Sequence, residues 1–310
     1  MKRFKFYLLG LVTAIILSSC GTSRTVPITG RKQSLMVSDE EVLSLSTQEY
    51  NKYMQSAKKS TNAANTAMVQ RVGQNLANAV TTFMKNNGLQ NELSQYSWEF
   101  NLVQDNNVNA FCMPGGKIVV YEGLLPITQD EASLAVVLGH EIAHAVAKHS
   151  AEQMSKQIKQ QYGMQIGSAI ASAIGVGQTA QSVGQLIVQQ GLQFRNLSYS
   201  RDHETEADRM GLIFAAMAGY DPKVAVSFWQ RMSANSGNST AEFLSDHPSD
   251  ATRIKNIQNS FLPEALKYYN PPKAAVTTTQ TTKSTAKKAT TTKKTTAKKT
   301  TTKKTTTKKK

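Results

Sequence analysis

The spacing of hydrophobic residues predicts that most of the folded part of this chain is helical. Ser38-Asp39-Glu40-Glu41 is a capping pattern that opens a first helix. A longer helix is predicted from about residue 63 to residue 84, and Asn86-Asn87-Gly88 ends it. Its apolar stripe indicates a buried face and consists of Met68, Val69, Val72, Leu76, Val80 and Phe83.

Residues 98–121 carry a β pattern instead. Polar and apolar residues alternate from Trp98 to Leu102, and two short runs follow, from Val108 to Phe111 and from Lys117 to Tyr121, separated by Pro114-Gly115-Gly116. These features predict two or three strands of a small sheet.

Helices return after the sheet. Thr128 to Glu131 forms a second capping pattern, which opens a helix that continues through residue 144. Further helices are predicted from about His203 to Gly219 and after Asp221-Pro222. The predicted fold class is therefore α+β, mainly α, with a small β-sheet beside the helix that carries residues 140–144.

The N-terminal end predicts export and membrane attachment. Three basic residues precede an apolar run from Phe6 to Leu17, which is too short for a permanent membrane span and suits a signal peptide over residues 1–19. Leu17-Ser18-Ser19-Cys20 resembles a bacterial lipobox, so Cys20 is predicted to carry a lipid and residues 20–37 to follow as a lipidated segment. An ordinary secretory signal with an incidental cysteine is the alternative.

The C-terminal end, residues 273–310, is almost wholly Thr, Lys and Ala and is predicted to be disordered. Its thirteen lysines and the basic leader account for the formal net charge of +15. Residues 6–272 are thus close to neutral, and no specific nucleic-acid binding is expected of the fold. The tail has two open interpretations: association with an anionic lipid or surface polymer, or a solvated spacer.

Residues 38–272 remain as one domain. Within it, residues 151–198 are rich in Gln, Gly, Ala and Ser and have no long apolar span. Mobile helices forming a lid, or plain packing helices, both agree with that composition.

Candidate chemistry lies in His140-Glu141-Ile142-Ala143-His144. On a helix, His140 and His144 share a face and can reach one metal ion, while Glu141 can reach a metal-bound water as a general base. That arrangement is typical of a zinc hydrolase with one open position. The third ligand is sought in Glu204-Thr205-Glu206-Ala207-Asp208. From spacing alone, Glu204 and Glu206 are both candidates, and Asp208 can orient a ligand histidine.

Three segments together resemble the CAAX prenyl protease-like zinc metallopeptidases, which are gluzincins. These are residues 140–144, residues 204–208 and Asn109 to Gly116; within the family, the bacterial periplasmic BepA-like and LoiP-like lipoproteins are the most similar branch. Further matches are Thr29-Gly30-Arg31 with Gln33, Gly123-Leu124-Leu125, Ala218 to Pro222, and His247-Pro248 with Arg253-Ile254.

The resemblance implies a zincin-type domain with one Zn²⁺ held by His140, His144 and Glu204. It implies an endopeptidase of the bacterial envelope, lipid-anchored and facing the periplasm from the outer membrane, that acts on unfolded or misassembled proteins. A non-catalytic lipoprotein chaperone with the same fold is the alternative. By the same resemblance, His247 is expected near the metal, either stabilising the oxyanion or filling the open position; the alternative is a loop histidine bonded to backbone.

Several other residues receive expectations of their own. The edge strand to which an extended substrate adds is predicted at Ile118, Val119, Val120 and Tyr121. Arg253 is expected to order the His247 loop, to bind the substrate's carboxyl side or to form a structural ion pair. His149 is interpreted as a helix-end histidine, His203 as facing away from the site, and Cys112 as a buried, unreactive thiol.

Overall fold

The structure is a computed structural model, and it describes residues 22–169, 194, 199–235, 243, 247 and 251–271. The predicted signal peptide, Cys20, most of the predicted lid segment and the Lys/Thr tail lie outside the described residues. Within them, the predicted fold class is confirmed: the domain is mainly helical and has a small sheet beside the helix of residues 140–144.

Helices make up most of the described chain, and the long helix predicted from residue 63 extends from Ala63 to Asn86. The helices are α1 Asp39–Ser56, α2 Ala63–Asn86, α3 Leu125–Thr128, α4 Glu131–Val146, α5 His149–Ala169, α6 Arg201–Met217, α7 Val224–Ala234, α8 Ala251–Asn256 and α9 Leu262–Ala265, with 3₁₀ turns at Gln90–Gln95 and Glu122–Leu124 and a π-helical segment at Ile257–Phe261. None of these helices is both long and apolar enough to cross a lipid bilayer.

The capping predictions hold at one helix and fail at another. The Ser38 side chain accepts from the backbone of Glu41, and the Glu41 side chain accepts from the backbone of Ser38, so α1 begins with the predicted capping box. Thr128 does not cap α4, because it ends the short α3. Asp130 takes the capping role, and its Oδ1 accepts from the Ser133 backbone N–H at 2.7 Å.

The sheet beside α4 has three strands: β3 Glu99–Val103, β4 Ala110–Met113 and β5 Lys117–Tyr121. β5 lies in the middle, parallel to β3 and antiparallel to β4. The prediction that Ile118 to Tyr121 form the substrate edge strand is therefore wrong. Central strands are buried on both faces, and Ile118, Val119 and Val120 are all 0% exposed.

An N-terminal hairpin joins the domain before the predicted start at residue 38. Its strands, β1 Thr22–Thr25 and β2 Lys32–Leu35, pair antiparallel. Val26, Leu35 and Val37 are buried against the rest of the domain. Residues 22–37 therefore pack against the domain, because their apolar side chains belong to its core.

Two glycines set how closely the two site-bearing helices approach. α4 and α6 cross where Gly139 faces Gly211, and a Cβ on Gly211 would lie 2.6 Å from the backbone nitrogen of His140. Real Cβ atoms do not approach backbone that closely, so glycine is required at this crossing. The close approach of the two helices places His144 beside the first turn of α6.

Candidate metal centre

Three side chains from two helices converge at the centre of the site. α4 places His140 and His144 one turn apart on the same face, with their Nε2 atoms 3.0 Å apart. Glu204, in the first turn of α6, lies with Oε2 3.3 Å from the Nε2 of His140 and Oε1 3.4 Å from that of His144. All three side chains are buried.

His247 reaches the same point from the loop before α8. Its Nδ1 lies 3.2 Å from the Nε2 of His140 and 3.0 Å from Oε1 of Glu204. One donor atom from each of these four residues lies within 4.8 Å of the other three. Phe243 stacks on the ring of His247 with a centroid separation of 4.6 Å, which fixes the plane of the imidazole.

The hydrogen bonds show that these donors fit a zinc ion. His140 donates from Nδ1 to Oδ1 of Asp208 at 2.9 Å, so in its neutral form, the form that binds a metal, the ring has its lone pair on Nε2, facing the Nε2 of His144 and the Glu204 carboxylate. Lone pairs packed this closely repel each other unless a cation lies between them. Ligands of a tetrahedral zinc at about 2.0–2.1 Å lie about 3.3 Å apart, close to the separations seen here.

The pKa values of the cluster follow from burial and from the charges that the ligands and Asp208 place on one another. Burial lowers the pKa of His140, but Glu204 and Asp208 outweigh it and raise that pKa to about 9. Burial alone dominates at His144 and holds its pKa well below the usual range. Burial raises the pKa of Glu204, while His247 and His140 more than offset it and keep the carboxyl ionised. The centre is therefore built to hold positive charge.

Glu141 lies beside the cluster without entering it. Its Oε2 accepts from the Cys112 backbone N–H at 3.3 Å, and Oε1 lies 3.5 Å from the Nε2 of His247. Oε1 is buried, and within the described part of the chain it has no hydrogen-bond partner. Burial raises the pKa of this carboxyl, which suits a group that must take up a proton.

Comparison with known proteins now identifies the domain. A model described as peptidase family M48 matches residues 63–260, which contain the three central ligands and Glu141. The chain belongs to peptidase family M48. The expectation of a metallopeptidase is thereby confirmed at the level of family M48, and the zinc cofactor is confirmed too, since the donor cluster supplies a site for the metal that this family uses.

Curated relatives include mitochondrial and bacterial proteases. The chain is 37% identical over 175 residues to the mitochondrial metalloendopeptidase OMA1 of Schizosaccharomyces pombe, covering 56% of this chain and 49% of that protein. It is 32% identical over 246 residues to human metalloendopeptidase OMA1, covering 78% and 46%. It is 29% identical over 169 residues to the beta-barrel assembly-enhancing protease of Yersinia pestis, covering 52% and 34%. The chain thus spans about half the length of these relatives, or less.

Behind His140, the M48 domain places a carboxylate and an arginine. Asp208 is held in a bidentate pair by Arg253, from Nε to Oδ2 at 2.7 Å and from Nη2 to Oδ1 at 2.6 Å. The Arg253 guanidinium lies 3.5 Å from the ring centroid of Trp229 and donates to the His247 backbone carbonyl at 3.3 Å. Of the expectations for Arg253, the structure shows the ion pair, together with the hydrogen bond to the His247 backbone.

Behind His144, the contact is another imidazole. His149 begins α5, is 0% exposed, and has its Nδ1 2.9 Å from the Nδ1 of His144. Its Nε2 lies 2.9 Å from Oε2 of Glu206. Burial lowers the pKa of His149 to about 4, so this ring is neutral at pH 7. The interpretation of His149 as a mere helix-end histidine missed this contact, since spacing on one helix does not apply across the break between α4 and α5.

The side chains of Glu206 and His203 both point away from the metal centre. Glu206, the rival third ligand, points away from the cluster and contacts His149, Thr29 and Arg31. His203 is buried, stacks on His149 at 4.4 Å and lies 3.3 Å from Glu152. It does face away from the metal centre, but into the contacts behind His144.

Burial raises the pKa of the Cys112 thiol well above its usual value, in keeping with an unreactive group.

Proposed function

We propose that this chain is a zinc-dependent endopeptidase of the bacterial cell envelope that hydrolyses peptide bonds in unfolded or misassembled proteins. The observation that carries the proposal is the convergence of His140, His144 and Glu204 on one point, beside Oε1 of Glu141, which has no hydrogen-bond partner among the described residues. A structural zinc site would have no use for a buried carboxylate held next to the ligands but outside them.

The residues of the site divide the chemistry between them. His140, His144 and Glu204 would hold the zinc, which when bound polarises a substrate carbonyl and lowers the pKa of water to about 7. Oε1 of Glu141 takes a proton from the attacking water and returns it to the leaving amine. The Cys112 backbone N–H keeps Oε2 in place, so the carboxylate can turn little between the two transfers.

The outer edge of β4 is the better candidate for binding the substrate backbone. The Asn109 carbonyl accepts from Tyr121 at 3.1 Å, so the backbone groups of Ala110 and Cys112, one and three residues on, point away from β5. The N–H of Cys112 already donates to Glu141 and that of Ala110 to Oδ1 of Asn109, so a substrate would pair with the carbonyls of these two residues. No strand among the described residues pairs with that edge, and it adjoins Glu141. An extended substrate adding to β4 would be bound through its backbone, which favours unfolded chains over particular sequences.

A cleft beside the ligands can receive a substrate side chain. Its volume is about 270 Å³, and its lining includes Glu204, Tyr199, Thr252, Asn256 and Phe261. Mixed polar and aromatic walls favour no single side-chain class, in agreement with broad substrate use.

His247 is proposed to keep the site latent. The proposal is supported by the position of its Nδ1, 3.2 Å from the Nε2 of His140 and 3.0 Å from Oε1 of Glu204. Replacement of His247 by Ala is expected to raise turnover if the imidazole blocks the open position, and to lower turnover if it stabilises the oxyanion. Unchanged turnover would remove His247 from both roles.

The envelope location is proposed from the leader and from one group of relatives. Residues 1–19 resemble a lipoprotein signal peptide that is followed by Cys20 as the lipid-bearing residue, and the Yersinia pestis relative is named for β-barrel assembly. The OMA1 relatives are named as mitochondrial. A Cys20→Ser variant should lose membrane attachment in a bacterial host. Attachment that persists in this variant would contradict lipidation.

The decisive experiment measures the degradation of reduced casein by the purified zinc-loaded protein and by its Glu141→Gln variant. We expect the variant to bind zinc and to cleave at least 10³-fold more slowly, because it cannot accept a proton. Glu131→Gln is the matched control, since Glu131 lies on the same helix and, among the described residues, pairs with the exposed Arg71 and not with the metal centre. Equal cleavage by Glu141→Gln and the wild-type protein would overturn the mechanism. No cleavage by any of them, with zinc bound, would favour a chaperone role or latency through His247.

A further inference from the structure

The N-terminal hairpin lies against charged groups behind the metal centre. Arg31 donates to Glu152 from Nη1 and Nη2 at 2.7 Å each, and to Oε2 of Glu206 from Nε at 2.9 Å and Nη2 at 2.7 Å. Gln33 donates to Glu152 at 2.8 Å and to the Ala147 carbonyl at 3.0 Å, just beyond α4. One guanidinium therefore fixes two carboxylates that come from two different helices.

The turn of the hairpin is shaped to present these groups. Ile28 and Gly30 both have positive φ, at 68° and 72°. Val26 donates to the Arg31 carbonyl at 2.8 Å and Gly30 to the Val26 carbonyl at 3.0 Å, which closes the turn. Thr29, between them, donates its hydroxyl proton to Oε1 of Glu206. Both oxygens of the Glu206 carboxylate are thus bound by the hairpin.

The same carboxylate determines which nitrogen of His149 carries its proton. A carboxylate only accepts, so the Nε2 of His149 donates to Glu206 across 2.9 Å. In a neutral imidazole the other nitrogen is then an acceptor, and Nδ1 of His149 accepts from the Nδ1–H of His144 across 2.9 Å. His144 is left with its lone pair on Nε2, the atom that faces His140 and Glu204.

We infer that the N-terminal hairpin is a positioning element of the metal centre, in which Arg31 acts through Glu206 and His149 to fix the tautomer and the orientation of His144. This inference rests on the proposed zinc peptidase function. Arg31 and His149 touch neither metal nor substrate, so they are positioning residues. The dependence is on geometry: without Arg31, the Glu206 carboxylate can rotate, and His149 loses the acceptor that keeps its Nδ1 free for His144.

The experiment compares zinc release from the full-length protein and from two variants, Arg31→Met and His149→Phe. Release is followed with a chromophoric chelator, and the visible absorption of the cobalt(II)-substituted protein reports ligand geometry. Loss of a partner behind a ligand histidine weakens metal binding about 10- to 100-fold. We expect about 100-fold faster release for His149→Phe, about 10-fold for Arg31→Met, and a shifted cobalt spectrum for both.

The control is Arg209→Met. Arg209 also forms a two-pronged ion pair from α6, with Glu264 at 2.7 and 2.9 Å, but that pair has no bond to a ligand histidine. This variant should release zinc at the wild-type rate even where thermal unfolding shows an equal loss of stability. His149→Gln should recover part of the zinc retention lost in His149→Phe, because an amide can both donate to Glu206 and accept from His144.

The double variant separates action through His149 from general loosening of the domain. If Arg31 acts through His149, then Arg31→Met adds nothing to the zinc release of His149→Phe. Additive effects, or an Arg31→Met rate no faster than that of Arg209→Met, would overturn the inference while leaving the peptidase proposal intact. A wild-type protein that binds no zinc would overturn the proposed function itself. If His149→Phe fails to fold, two measurements still test the inference. One compares zinc release from Arg31→Met with that from Arg209→Met, and the other is the cobalt spectrum of His149→Gln.

Discussion

The two histidine ligands are supported by two different regions of the molecule. Behind His140, a single carboxylate, Asp208, bonds the imidazole directly and is itself held by the buried Arg253. Behind His144, a second imidazole comes first, and the carboxylate of Glu206 and the guanidinium of Arg31 come after it. Each series of contacts ends on an arginine, although the two arginines lie at opposite ends of the described chain.

The two regions differ in how deeply their side chains are buried and in how many groups stand behind the ligand histidine. The Arg253 and Asp208 side chains are 6% and 3% exposed, whereas the Arg31 side chain is 29% exposed. A buried pair gains more from its geometry and loses more when one partner is removed, while a partly exposed pair is screened by water. We therefore expect the support of His140 to be strong and sensitive to substitution, and the support of His144 to be weaker and shared among more groups.

The largest effect is expected from Asp208→Asn. This change removes the carboxylate that binds His140 and that neutralises the buried Arg253, so it should cost about 3–5 kcal/mol of unfolding free energy. Urea unfolding of the zinc-loaded protein measures it, with the exposed Asp202→Asn on the same helix as the control. A loss below that of Glu206→Gln would reverse the ranking of the two regions.

Metal removal should affect both regions at once. Zinc at a thousand times its dissociation constant stabilises the folded state by about 4 kcal/mol, because only the folded chain brings the ligands together. Chelation is therefore expected to lower the thermal unfolding temperature clearly. In Asp208→Asn the drop should be smaller, since its zinc affinity is already reduced; a drop equal to the wild-type one would show that Asp208 does not support the metal ligand.

The third prediction concerns the helix crossing that joins the two regions. A Cβ on Gly211 would meet the backbone nitrogen of His140 at 2.6 Å, so Gly211→Ala must push α6 away from α4. Overpacking of this kind costs about 1–3 kcal/mol. Calorimetry measures the loss, and Thr205→Ala, at an exposed position of α6, should leave stability close to wild type.

The smallest effect, and one that depends on pH, is expected from Glu206→Gln. Burial raises the pKa of Glu206, but His149, Arg31 and Thr29 bind the carboxylate and lower that pKa to about 2. Since an unfolded glutamate titrates near 4.3, the ionised group contributes stability above about pH 4.5 and loses it as the pH falls towards 2. In urea unfolding without zinc, the unfolding free energy of the wild-type protein should be about 1.5 kcal/mol higher than that of the variant at pH 7. The two unfolding free energies should be equal near pH 2. A difference that persists at pH 2 would contradict the assignment.

Much of this protein follows from short-range pattern. The spacing of His140 and His144 places both rings on one face because an α-helix repeats about every 3.6 residues. Helix geometry alone therefore predicts that the two rings can reach one metal ion. The stripe of α2 and the capping box of α1 are equally local and are found as predicted. The continuous apolar run at 118–121 is also typical of a central strand, although an edge strand was expected there.

The tertiary structure decided what depends on contacts between distant segments. Spacing left Glu204 and Glu206 as equal candidates, because two residues on one helix differ only in direction. The close Gly139–Gly211 crossing turned Glu204 towards the histidines and Glu206 towards the hairpin. Strand order was likewise fixed by a parallel pairing of β3 and β5 that no local pattern encodes. The sequence by itself determined which groups can bind zinc; only packing between elements far apart in the chain determined which of them face it and what holds them there.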